Sequence, residues 1–212
     1  NITPANAFRL LQLAEKHDLL IVEDDVYGDL HPGPATRLAQ LDQLRRVIYV
    51  GSFSKTLSAN LRVGFVACAP DLAVDLTDFK IVTSLSNSEF GERLTYLMLT
   101  EGHYRKLIDR MHGRLAEATE RTLRMLERVG LNVYAEPEGG MFIWAAVPGL
   151  TDSAALASRA SKEGIMLAPG NIFRPQMQPS PWLRFNVAYA LDPKLERFLG
   201  ERRGLTAIAA PD

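Results

Sequence analysis

The chain has 212 residues, 47% of them hydrophobic, with 24 Lys and Arg against 25 Asp and Glu, for a formal net charge of -1. That length allows a full hydrophobic core in one large or two smaller domains, and that charge excludes a globally basic binder of nucleic acid or anionic membrane. The single cysteine, Cys68, excludes an internal disulfide and fits a reducing cytoplasm, and no apolar run reaches the length of a membrane span.

Thr3 before Pro4 predicts an N-cap and first turn, after which Phe8, Leu10, Leu11 and Ala14 share a helical face as far as His17 and Asp18. The chain meets this signal at once, starting at Asn1 without a methionine, and so reads as a piece of a longer protein. The continuous apolar run 19–22 predicts a strand buried on both faces, ending in Glu23-Asp24-Asp25. Open α/β sheets keep their sites at such C-terminal strand ends. After a Pro-Gly loop at 31–34, a second strand at 47–50 leads into Gly51-Ser52-Phe53-Ser54-Lys55, and a third at 63–67 stops before Pro70. Three apolar runs with helical or loop segments between them predict part of an α/β sheet.

From His103 to Val129, apolar residues alternate three and four apart, which predicts a helix of roughly 40 Å joining two domains, stopped by Gly130. Beyond it, strand-like segments at 132–134, 139–147, 165–167 and 182–187 surround a helix at 153–163, the pattern of a small α+β domain. The expected division is therefore 1–102 and 103–212. Residues 169–181 read as a Pro-rich loop, and Gly139-Gly140 as a turn or a place of close backbone approach.

Lys55 follows a strand and sits among small and hydroxylic neighbours, with Arg62 seven residues on. Any lysine taken alone is best read as a solvated surface residue; a partly buried one beside a second cation has a lowered pKa and can attack an aldehyde. Ser52, Ser54 and Arg62 together suit a phosphate. Asp24 and Tyr27, three apart at the end of the first strand, offer a carboxylate for a pyridine nitrogen and a phenol for a ring hydroxyl; the plainer reading is that the acids cap the next helix. Arg184, a charge inside an apolar strand, offers a planar fork for a carboxylate, or else an ion pair with a helix acid. The four histidines lack metal-ligand spacing, so no metal site is expected.

These residues together resemble the fold type I pyridoxal phosphate enzymes, the aspartate aminotransferase superfamily. The resemblance implies an α/β fold, the later part of a large domain with a mainly parallel sheet followed by a small α+β domain, and pyridoxal 5'-phosphate held as a Schiff base on Lys55, with Asp24 at the pyridine nitrogen and Tyr27 at O3'. It also implies Ser52, Ser54 and Arg62 at the phosphate, and Arg184 at a substrate α-carboxylate. The segments 23–29, 51–57 and 168–173 are most similar to the aminotransferase-like domain of MocR-type regulators in the GntR family. That implies an effector domain sensing an amino acid or amine, a homodimer, and DNA contacts made by a separate upstream domain. The aminoadipate and kynurenine type of class I/II aminotransferase is similar in the same segments, and implies transamination instead. In either family the glycine- or serine-rich phosphate loop, the ring-stacking aromatic and an asparagine at O3' lie upstream of Asn1.

Overall fold

Thr3 starts the first helix by accepting the Asn6 amide on its hydroxyl at 3.3 Å, while Pro4 fills the first turn. In the computed structural model, which describes residues 2–201, α1 runs Pro4–Lys16. Ala7 and Ala14 are the residues it buries, with Leu11 partly buried between them, whereas Phe8 and Leu10 face outward. The inward stripe is thus rotated from the one expected.

β1 (Ile21–Asp24) begins two residues later than the apolar run and is packed on one face only; Val22 is 64% exposed. Ile21 joins a small core with Ala7, Leu38 and Val47. The short helix α2 (Leu38–Asp42) ends in a buried carboxylate, and Asp42 Oδ2 accepts the amides of Arg46 and Val47 at 2.5 and 3.0 Å. That bond pair meets the requirement that a buried carboxylate be hydrogen-bonded, and it fixes the entry into β2 (Val47–Ser52).

β2 runs parallel to β1, from Ile21 opposite Val47 to Asp24 opposite Val50. β3 (Gly64–Ala67) lies on its other side and runs antiparallel, so the expected parallel sheet holds for one of its two pairings. The connection 53–63 is a loop with one short 3-10 turn, Ala59–Leu61, and holds no crossover helix of the kind a parallel return usually uses. Two helices follow that the sequence pattern did not predict, α3 (Pro70–Ser84) and α4 (Glu89–Thr100), before the long α5 (His103–Arg128).

The chain divides into two compact units between His112 and Gly113, within α5. The second unit holds the end of α5 with β4 (Asn132–Val133), β5 (Phe142–Ala146), α6 (Ser153–Lys162), β6 (Ala168–Pro169), β7 (Trp182–Asn186) and α7 (Pro193–Gly200). Its sheet is antiparallel, in the order β4-β5-β7-β6. One sheet face packs Ile143, Ala145, Leu183 and Phe185 against Met125 and Leu126 of α5, Leu156 and Ala160 of α6, and Phe198 and Leu199 of α7.

Gly130 ends α5 at φ 67, and the Leu131 amide returns to the Leu126 carbonyl at 2.9 Å, a left-handed stop that favours glycine. Residues 165–167 form no strand, and Met166 is 97% exposed. Among the described residues no helix is long and apolar enough to cross a membrane.

Candidate cofactor site

The three carboxylates that end the first strand have different partners. Glu23 reaches the start of α2, where its oxygens accept the Leu38 and Ala39 amides at 2.8 Å each. It caps the next helix, as the plainer reading of such acids expects. Asp25 accepts from Arg37 Nε at 2.6 Å and from the Tyr49 hydroxyl at 2.7 Å on the same oxygen. Burial and this bond push the Tyr49 pKa up to about 12, and the bond to Asp25 raises that of Arg37.

Strand alternation turns Asp24 to the opposite face from Glu23, where it is exposed. Its Oδ1 accepts the Val26 amide at 3.3 Å, and among the described residues no cation pairs with it. Of the three acids, Asp24 is the one not committed to holding the fold.

Lys55 sits in a turn that closes as the Leu57 amide donates to the Phe53 carbonyl at 2.8 Å. Phe53 in turn donates to Val63 at 3.0 Å, which keeps the turn at the end of β2. The Lys55 side chain is exposed rather than partly buried, with Nζ 5.3 Å from the centroid of the Tyr27 ring. Tyr27 and Lys55 are therefore brought together although they stand 28 positions apart in the sequence. No carboxylate forms an ion pair with Lys55 among the described residues.

Ser52 Oγ accepts the Ser54 amide at 3.1 Å, so the two hydroxyls stand on one turn. Arg62 has φ 52, a left-handed conformation uncommon outside glycine. This backbone sends its Nη1 back to Ser54 Oγ and the Ala59 carbonyl, at 3.4 Å each. Ser52, Ser54 and Arg62 all line one cavity of about 570 Å³, together with Phe65 of β3 and Lys80 of α3. Lys55, Asp24 and Tyr27 are not in its lining. Lys80 carried no sequence signal, because α3 was not predicted.

Arg184 lies in the second unit, on the β7 face that also bears Trp182 and Asn186, opposite Trp144 of β5. Its guanidinium carbon is 4.2 Å from the Phe142 ring centroid and 4.8 Å from that of Phe173. Two rings thus hold the cation, and no carboxylate forms an ion pair with it among the described residues. Gly139-Gly140 forms the bend before β5, where Gly140 takes φ 84 in open space.

Near the lysine turn stands a side chain that the sequence pattern did not single out, Tyr104 at the start of α5. Its hydroxyl lies 2.5 Å from Asp29 Oδ2 and 3.0 Å from Thr56 Oγ1. A periodicity reading takes Tyr104 as one more residue of a helical face; only the fold shows what it touches.

The family model for aminotransferase class I and II matches residues 2–201. A 2-aminoadipate transaminase of Thermus thermophilus is 36% identical over 78% of the chain, and the HTH-type transcriptional regulator TauR of Rhodobacter capsulatus is 35% identical over 77%. The crystal structure of the kynurenine aminotransferase of Pyrococcus horikoshii, in complex with PMP, superposes with a TM-score of 0.87 at 28% identity over 99% of the chain. The chain spans 43% and 34% of the two relatives and 54% of that structure's chain, about half or less of each. With a family match over nearly all its residues and this fold, the chain belongs to the class I and II aminotransferases.

Proposed function

We propose that this chain is the later part of a pyridoxal-phosphate-binding domain that senses an amino acid or amine within a MocR-type regulator. The observation that carries the reading is Lys55, without an ion pair among the described residues, 5.3 Å from the Tyr27 ring, on the turn that bears Ser52 and Ser54. The donor set fits the cofactor. Two hydroxyls and a guanidinium line one cavity, a lysine stands beside them, and Asp24 has no competing cation among the described residues.

When bound, the cofactor supplies an aldehyde for the lysine amine and a ring that withdraws electrons from the substrate Cα. Lys55 would hold the cofactor through its amine and would stand as the base for a substrate Cα proton. Asp24 would keep a proton on the ring nitrogen, and Tyr27 would donate a hydrogen bond to the ring hydroxyl. Ser52, Ser54 and Arg62 bind the phosphate, and Arg184, oriented by Phe142 and Phe173, takes the α-carboxylate. A homodimer and an upstream DNA-binding domain belong to the same proposal; the likeness to TauR, an HTH-type transcriptional regulator, supports the DNA-binding part.

The transaminase relative, equally similar, supports a second reading in which the same groups complete transamination. To test the site, the intact protein is incubated with pyridoxal phosphate and borohydride and then mapped by mass spectrometry. The cofactor is expected on Lys55 and absent from Lys55→Ala; label elsewhere, or none, refutes the assignment. Specific retardation of promoter DNA supports the regulator, and rapid keto-acid release from a common amino acid supports the enzyme.

A further inference from the structure

Asp29 lies two residues past Tyr27, in the short 3-10 turn Gly28–Leu30, and Thr56 directly follows Lys55. Tyr104 touches both. A phenol has one hydrogen; the Asp29 carboxylate takes it at 2.5 Å, and the Thr56 hydroxyl at 3.0 Å is left to donate to the phenolic oxygen. The ring of Tyr104 also meets Phe53, first residue of the lysine turn, edge-on at 5.7 Å between centroids. Two helical turns further along α5, His112 Nε2 donates to the Asp29 carbonyl at 2.8 Å, so the same helix grips Asp29 at side chain and backbone.

Thr56 is 6% exposed and cannot follow a displaced Tyr104 into solvent without uncovering itself. Gly28, between Tyr27 and Asp29, has no room for a Cβ, which would fall on the Asp25 carboxylate that Arg37 and Tyr49 hold in place. The turn bearing Tyr27 is therefore fixed at one end by Asp25 and at the other by Tyr104.

We propose that Tyr104 is the positioning residue that locks the Lys55 turn to the Tyr27 turn, and so sets where the lysine amine stands relative to the phenol. It acts through Thr56 and Asp29 rather than by touching the cofactor. The proposal rests on the pyridoxal phosphate reading of Lys55. Burial, and then the bond to Asp29, raise the pKa of Tyr104 above the usual phenol value, which keeps it a donor through the physiological range.

The test uses the intact protein loaded with pyridoxal phosphate, in wild type, Tyr104→Phe, Thr56→Val, Asp29→Ala and Asp29→Asn. Three quantities are read: cofactor affinity, the visible circular dichroism that reports cofactor orientation, and the far-ultraviolet melting curve. Tyr104→Phe and Asp29→Ala are expected to weaken affinity about tenfold and to change the visible dichroism while far-ultraviolet spectra stay native. Thr56→Val is expected to shift both in the same direction, and Asp29→Asn, which keeps an acceptor, to restore them. Wild type that takes the cofactor, with Tyr104→Phe or Asp29→Ala folded and indistinguishable from it, overturns the proposal alone. If Tyr104→Phe does not fold, unchanged affinity and dichroism in Thr56→Val and Asp29→Ala overturn it equally. A wild type that never fixes the cofactor on Lys55 overturns the site reading, and this inference with it.

Discussion

Tyr49 shares an Asp25 oxygen with Arg37, and its pKa moves from 10.0 up to about 12. Between those values the folded chain keeps a proton that the unfolded chain releases, so raising the pH pulls toward the unfolded state. This contribution is whole below about pH 10 and is lost as the pH passes about 12; Tyr104, also raised, acts in the same direction. Urea midpoints are therefore expected to fall across that window, with the ionisation followed by tyrosinate absorbance. Tyr49→Phe should make the fall shallower without abolishing it, and a midpoint that is flat or rises with pH contradicts the pairing. The same cluster shows where residue-level reading stops. The run Glu23-Asp24-Asp25 announces carboxylates at a strand end, but which one is free depends on Arg37, Leu38, Ala39 and Tyr49, whose positions only the fold supplies.

The motif around Pro169-Gly170 owes its form to the start of α6. Ser153 is fully buried; its amide donates to the Ser180 carbonyl at 2.7 Å, its hydroxyl donates to the Trp182 carbonyl at 2.7 Å, and it accepts the Gly170 amide at 3.1 Å. A Cβ on Gly170 would run into Ser180 Oγ and lie 2.8 Å from the Trp182 carbonyl, so glycine is required there for space. Ser153→Ala leaves a buried carbonyl and a buried amide without their partner, and is expected to destabilise the second unit by about 1–3 kcal/mol. Denaturant unfolding of the variant checks this, and stability equal to wild type refutes it. Elements with a strong period or a cap were legible in the sequence: α1 from Thr3-Pro4, α5 from its long stripe, β2 and β7 from apolar runs. α3 was not, because Leu72, Val74, Leu76, Phe79, Ile81 and Val82 lie all round its axis and leave no helical face to detect. Residues 165–167 misled in the opposite sense, being apolar yet unpaired with β7, whose partner strand is Ala168–Pro169.

α3 also governs how the whole chain behaves in water. A helix apolar all round belongs in an interior, yet this one buries none of its residues; Phe79 is 67%, Val82 85% and the following Leu85 78% exposed. Val22, Phe65 and Val66 add exposed apolar surface on the first sheet, whose packed cluster is built on only Ala7, Leu38 and Val47. The second unit, by contrast, closes a core from three helices and a four-stranded sheet. Patches of this kind on a soluble chain drive association unless something covers them. Produced by itself, the 212-residue chain is expected to self-associate and to bind a hydrophobic dye strongly, with both effects arising in the first unit. Phe79→Glu combined with Val82→Lys, on two exposed residues, should reduce association and dye binding together while leaving the unfolding of the second unit unchanged. Light scattering and dye fluorescence at several protein concentrations read the outcome. A monodisperse monomer that binds no dye refutes this expectation, because α3 must then find cover within the chain itself.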